Sequence, residues 1–208
     1  MARTQAADYD RKRDAITEHA AQLFARKGFA QASIADIAAK CGVSKSLLYH
    51  YYGSKEDILY DIMIGHIDEL VDVIDAAAQQ SGPPEKILKG LSRKLLHRYI
   101  GAADRQKVLL YELDSLPAPQ RSEIVTKQRH VIETFESLLI ACAPSIAREP
   151  HRLRAQTMLY FGMINWTHTW YNSAGKVSRD DLADMAADAA LVLLSEGQAG
   201  VARKNGKK

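Results

Sequence analysis

Cysteine is nearly absent: the 208-residue chain holds two, Cys41 and Cys142, and neither stands in a CxxC spacing. That excludes a disulfide framework and a thiolate metal site, and fits buried thiols in a reducing compartment. No run of 18 apolar residues occurs, so neither a transmembrane helix nor a membrane partner is expected. The first eight residues lack the apolar core of a signal peptide, and a cytoplasmic location is expected. Strand signals are also scarce, and the 12 Gly and 6 Pro stand mostly between helical patterns. The common enzyme signatures are missing: no HExxH, no GxSxG, no phosphate-binding glycine loop and no Cys/His cluster. His66, His97, His130 and His168 stand singly on helical patterns. No catalytic residue, metal or cofactor is therefore expected.

What is present is ordinary in bulk and informative in distribution. Apolar residues make up 47% and charged residues 25%, as in a soluble globular protein. The formal net charge is +3. Residues 1–55 hold nine Lys/Arg against five Asp/Glu, and residues 201–208 add four cations, so the 145 residues between are acidic by five. A basic head on an acidic body suits a protein that presents one end to phosphate. Periodicity and punctuation predict an all-α fold of about nine helices: 10–27, 33–40, 44–51, 54–80, 84–101, 103–115, 118–142, 151–174 and 178–196.

The densest signal lies at residues 33–59, S-I-A-D-I-A-A-K-C-G-V-S-K-S-L-L-Y-H-Y-Y-G-S-K-E-D-I-L. Ser33 is a good N-cap, and Ile34, Ile37 and Ala38 form one apolar helical face. Gly42 follows where a helix ends in the left-handed region. Val43 plugs the crossing, and Ser44 caps a second short helix. On that helix Leu47 and Leu48 read as the inward pair, leaving Lys45, Ser46, Tyr49 and His50 outside. Gly53 breaks it, and Ser54 with Asp57 caps a third helix. Two short helices and this turn are the layout of a helix-turn-helix placed for the DNA major groove.

Gly28-Phe29, Ser33–Ala38, Gly42–Tyr52 and Ser54–Leu59 together resemble the TetR family of bacterial transcription regulators. Tyr51 stands where Phe is commoner, and Leu47 where a small Thr or Ala is usual. The resemblance implies a dimeric, all-helical protein, usually a repressor, released from its operator by a small ligand. The expected organisation is a DNA-binding domain at 1–55, a ligand-binding and dimerisation domain at 56–200, and a basic, disordered tail at 201–208. The helix from residue 54 would span about 40 Å at 1.5 Å per residue and so couple head to body.

Within the head, Ser33, Tyr49 and Lys55 suit phosphate contact, as do the free N–H groups at the start of the first helix. Lys45, Ser46, Leu47 and His50 are candidates for base edges; Lys45 suits guanine O6/N7 and Leu47 a thymine methyl. Tyr51 is expected to pack inside, Tyr52 suits packing or phosphate, and Arg11, Lys12 and Arg13 would add attraction from the N-terminal arm. The partner is double-stranded DNA carrying an inverted repeat, because two-fold protein symmetry is mirrored in the site.

The second concentration is Met158–Gly175, where Tyr160, Phe161, Trp166, Trp170 and Tyr171 crowd one helical pattern. Trp166 and Trp170 share a face at i, i+4. Core, interface and ligand pocket all fit such a stripe. The candidate pocket set is Tyr99, Leu113, Phe135, Leu139, Phe161, Trp166, His168 and Trp170, which favours an apolar or aromatic effector. By resemblance, the last two helices form a dimer interface, fitting Leu182, Met185, Ala186, Ala189, Leu193 and Leu194. The run G-M-I-N-W-T-H-T-W-Y-N-S-A-G also looks like that of TetR regulators of acyl-CoA catabolism, the phenylacetate type most. That implies an acyl-CoA effector such as phenylacetyl-CoA, with Arg105, Lys107, Arg129, Arg152 and Arg154 available for the CoA phosphates. From another class, a helical acyl-CoA-binding or catalytic protein with a head that does not bind DNA fits the same body.

Overall fold

The computed structural model describes the backbone of residues 2–205 and the side chains of residues 9–195. Among the described residues the chain is helical, without strands. The α-helices are α1 (Ala2–Lys27), α2 (Ile34–Cys41), α3 (Lys45–Tyr51), α4 (Lys55–Ala78), α5 (Pro84–Gly101), α6 (Ala103–Tyr111), α7 (Ala118–Cys142), α8 (Pro150–Asn165), α9 (Thr167–Trp170) and α10 (Arg179–Asn205). Short 3-10 turns follow α6 at Leu113–Ser115 and α7 at Pro144–Arg148. No helix is long and apolar enough to cross a membrane. The basic tail expected at 201–208 falls where α10 runs to Asn205; its side chains and residues 206–208 lie outside the described residues.

Two compact units form, Met1–Asp68 with Ala102–Lys127, and Glu69–Gly101 with Gln128–Lys208. A division at residue 55 was expected; the compact units instead divide within α4, and the first takes in α6 and the start of α7. The reason is packing that a local reading misses. α1 lies along α6, the Phe29 N–H donates to Glu112 Oε1 at 3.0 Å, and Arg105 pairs with Glu18 at 3.0 Å. Buried His66 on α4 meets Gln106 on α6 at 2.6 Å. The core of this unit is Ile16, Phe24, Phe29, Ile37, Leu48, Ile58, Leu59, Ile62, Met63 and Val108. Gly28 ends α1 at φ 85, a conformation that costs a Cβ-bearing residue about 1 kcal/mol.

In the second unit α10 packs against α5 and α8. Lys89–Asp188, Arg93–Asp184 and His97–Asp180 pair at 2.7, 2.6 and 2.8 Å. Each step of four residues along α5 is a step of four backwards along α10, so the two helices run antiparallel. These pairs are exposed and screened by solvent, so they fix register more than stability. The buried centre is aromatic, with Phe135 stacked on Tyr160 at 4.3 Å and 5.1 Å from Phe161.

The helix expected over 151–174 breaks. α8 ends at Asn165, α9 covers one turn, and residues 171–178 are irregular. Three consecutive side chains explain this. Thr167 Oγ1 donates to Ile164 O (2.6 Å), His168 Nδ1 to Asn165 O (2.7 Å) and Thr169 Oγ1 to Trp166 O (2.7 Å). Side chains that take neighbouring carbonyls compete with the backbone ladder. The helix expected over 103–115 likewise ends at Tyr111 and tightens into the 3-10 turn.

Candidate nucleic-acid interface

The reading helix is held from below by one residue. Leu48 is fully buried, while Lys45, Ser46, Leu47, Tyr49 and His50 are exposed, Leu47 at 38% and Tyr49 at 55%. Leu47 was expected to face inward with Leu48; it faces out, because adjacent residues of a helix point about 100° apart and the core takes Leu48. That outward position agrees with its candidacy for a base edge. Both caps form as expected. Ser44 accepts from the Leu47 N–H at 3.1 Å, and Gly42 takes φ 66 and closes onto Ala38 and Ala39 carbonyls.

Ser33 and Lys55 are placed differently from the phosphate roles expected of them. Ser33 completes a capping box with Asp36: its hydroxyl accepts the Asp36 N–H at 3.1 Å and donates to Asp36 Oδ2 at 2.8 Å. The Asp36 carboxylate thus sits at the helix N-terminus where a phosphate was expected. The Ser33 backbone N–H, then its hydroxyl, hold this carboxyl below the usual range, with Lys27 assisting at 3.6 Å. Lys55 Nζ donates to the carbonyls of Phe29 and Ala32 at 2.8 and 2.9 Å, and lies 4.1 Å from the Phe29 ring centroid. Its charge ties the start of α4 to the α1–α2 loop.

The tyrosines sort themselves too. Tyr52 packs: it is buried, and its hydroxyl donates to Asp61 Oδ2. Burial first, and then the neighbouring carboxylate, push its phenol above the ordinary range. Arg13 joins them, with NH2 2.6 Å from Asp61 Oδ1 and Nε 3.3 Å from the Tyr52 hydroxyl, so its guanidinium fastens α1 to α4. Tyr51, expected inside, is half-buried and lies 4.7 Å from the ring of Tyr9, with His50 edge-on at 5.6 Å. Tyr9 and Asp61 were missed by sequence reasoning. Nothing local marks an α1 tyrosine or an α4 aspartate as a support for α3.

The ligand candidates separate into three places. Tyr99, Phe135, Leu139 and Phe161 are all buried in the second unit, Phe135 lying 5.1 Å from Phe161. Leu113 is half-buried on the 3-10 turn of the first unit. Trp166 and Trp170 are exposed at 58% and 56%, and with Met158, Leu159, Met163 and Met185 they line an apolar groove of about 720 Å³ on α8, α9 and α10. The helix break turns both indoles outward, away from the set they were grouped with. His168 is half-buried beside Trp166, its Nδ1 spent on the Asn165 carbonyl. Of the candidate phosphate-binding cations, Arg105 pairs with Glu18 in the first unit, whereas Arg154 pairs with Glu136 in the second.

Residues 16–62 match a model described as bacterial regulatory proteins, tetR family, and residues 81–194 match the tetracyclin repressor-like C-terminal domain. The HTH-type transcriptional regulator HbdR of Aromatoleum sp. (strain CIB) is 28% identical over 196 residues, spanning 89% of this chain and 80% of its own. A TetR-family transcriptional regulator from Bordetella parapertussis 12822 superimposes with a TM-score of 0.83 at 40% identity, covering 86% of this chain and 93% of that one. AibR, solved in complex with isovaleryl coenzyme A and operator DNA, shares the fold at a TM-score of 0.72 and 23% identity, over 86% of this chain and 97% of its own. With the capped turn, the outward face of α3 and matches on both sides of α4, the chain belongs to the TetR family and is a DNA-binding transcriptional regulator.

Proposed function

We propose that the protein is a homodimeric repressor, released from an inverted-repeat operator by a CoA thioester of an apolar or aromatic acid, phenylacetyl-CoA being the type. The observation that carries the effector class is the enclosed aromatic centre of the second unit, where Tyr99, Phe135, Leu139 and Phe161 are buried together. An apolar acyl or aryl group suits such walls better than a sugar or small ion. AibR, which shares this fold, was solved with isovaleryl coenzyme A and operator DNA. On α3, Lys45, Ser46, Leu47 and His50 read base edges and Tyr49 contacts phosphate, while a phosphate at the start of α2 competes with the Asp36 carboxylate for the N–H groups there.

The dimer reading rests on the groove of α8, α9 and α10. Trp166, Trp170, Met158, Leu159, Met163 and Met185 form an exposed apolar patch with few polar neighbours, as interfaces do. Effector release is a population shift: the thioester favours a dimer geometry whose heads mismatch successive major grooves. A ligand with equal affinity for both geometries would not induce.

The test joins two measurements. Sedimentation of the wild type and of Met185→Glu reads the dimer, and the reading expects a dimer that the charge dissociates. Thermal shift against CoA thioesters and their free acids reads the effector, with operator release followed by gel shift. A stable monomeric wild type would sink the dimer, and no stabilisation by thioesters well above micromolar would sink the effector class.

A further inference from the structure

The second unit encloses a hydroxyl that its own fold does not use. Thr157 is fully buried on α8, and its Oγ1 has no hydrogen-bond partner. A helical threonine ordinarily bonds back to the carbonyl a turn earlier, as Thr126 does with Ser122 at 2.9 Å. An unpaired buried hydroxyl costs about 1–3 kcal/mol. Thr157 lies on the face of α8 that also buries Tyr160, Phe161 and Ile164. The neighbouring hydroxyls differ. Tyr160 donates to Ser92 Oγ at 2.7 Å, and Ser92 passes its proton to the Leu88 carbonyl at 2.8 Å, so that chain is closed. Tyr99 is buried on α5, close enough to Tyr160 for the two phenols to influence one another.

Building on the effector reading above, we infer that Thr157 is the polar anchor of the effector site, with its hydroxyl donating to a neutral carbonyl oxygen of the ligand. The charge class follows from what is not buried there. The buried polar residues described in this unit are Ser92, Gln156, Thr157 and Thr167, none of them a cation. A carboxylate brought among them would lose its hydration without a counter-charge, which costs several kcal/mol. A thioester carbonyl needs only donors. The site therefore takes the activated acyl group and rejects the free acid, so the regulator answers to substrate that has already been joined to its carrier.

The experiment is a cycle on the full-length protein. Thr157→Val removes the hydroxyl at nearly constant volume, and isothermal titration compares phenylacetyl-CoA with S-(2-phenylethyl)-CoA, whose CH2 replaces the carbonyl. The expected result is a roughly tenfold loss of phenylacetyl-CoA affinity in Thr157→Val, no loss for the carbonyl-free analogue, and no binding of phenylacetate by either protein. Thermal melts of the apo proteins check folding, and Thr157→Ser, which keeps the hydroxyl, should rescue most of the affinity. Equal affinities of wild type and Thr157→Val for phenylacetyl-CoA, or equal losses for both ligands, would overturn the anchor while leaving the effector class intact. Failure of the wild type to bind either thio-compound would overturn the effector class, and the anchor with it.

Discussion

Lys55 gives the sharpest test of the structure against the family pattern, because a lysine at the start of α4 has two incompatible readings. As a phosphate contact it would release counterions, and its loss would lower the slope of log K against log salt by about 0.9 per head. As a fastener it holds two carbonyls at 2.8 and 2.9 Å and covers the Phe29 ring at 4.1 Å. A hydrogen bond involving a charged group is worth about 1.5–3 kcal/mol, and half-burial leaves water to replace part of it. Stacking on the ring adds roughly 0.5–1 kcal/mol. Lys55→Met keeps the aliphatic stem and removes the ammonium, so the expected loss of unfolding free energy is about 2–3 kcal/mol. Urea unfolding followed by circular dichroism measures that loss, and fluorescence anisotropy on an operator duplex at 50–200 mM salt measures the slope. The structure predicts a lower urea midpoint and a salt slope equal to that of the wild type. An unchanged midpoint with a slope reduced by about 0.9 per head would refute the fastener.

The two adjacent leucines of α3 should part company: Leu48→Ala costs about 2–4 kcal/mol of stability, whereas Leu47→Ala stays within roughly 0.5 kcal/mol and alters operator preference at a single base pair in a binding-site selection. Gly42→Ala should cost about 1 kcal/mol in urea unfolding purely from its φ of 66, since a Cβ there meets nothing within 4 Å, and Gly42→Asn should cost less. Asp36 is held below its ordinary pKa in the folded state, so its contribution is full above about pH 4 and is lost as pH falls through the folded value. Asp36→Asn should therefore lower the urea midpoint at pH 6 and converge with the wild type as pH falls through the folded pKa of Asp36; parallel curves would refute the cap.

The head was legible because its rules are local. Ser33, Gly42, Ser44 and Gly53 each specify a cap or break within four residues, and those breaks fall within a residue or two of the observed boundaries. What local rules could not show is how polar side chains spend themselves. Lys55 reads as a free cation until Phe29 and Ala32 supply carbonyls from 26 and 23 residues away. Arg13 reads as part of a basic arm until Asp61, 48 residues on, takes its guanidinium. A charge count therefore overstates what this head offers to phosphate. The outward face of α3 survives the correction, because Lys45, Ser46 and Tyr49 are exposed.

The body shows how one misjudged helix end redistributes function. Read as a continuous helix, Met158–Gly175 puts Trp166 and Trp170 on the same stripe as Phe161 and so into one pocket. Three successive side-chain bonds to carbonyls end α8 at Asn165, and residues before and after the break then serve different surfaces. Tyr160 and Phe161 stay inside with Phe135, while the indoles join Met158, Met163 and Met185 outside. Periodicity measures which residues share a face only while the helix lasts, and Thr-His-Thr is a sequence whose hydroxyls and imidazole can end one. The separation also gives the proposed switch its economy of parts. α8 carries a face turned to the aromatic centre and a face turned to the groove, so a ligand that shifts α8 to seat its acyl group changes the surface offered to a second copy. An effector acting only through α4 would leave Met158 and Met163 unmoved, and crosslinking of cysteines substituted at those two positions, with and without phenylacetyl-CoA, distinguishes the two routes.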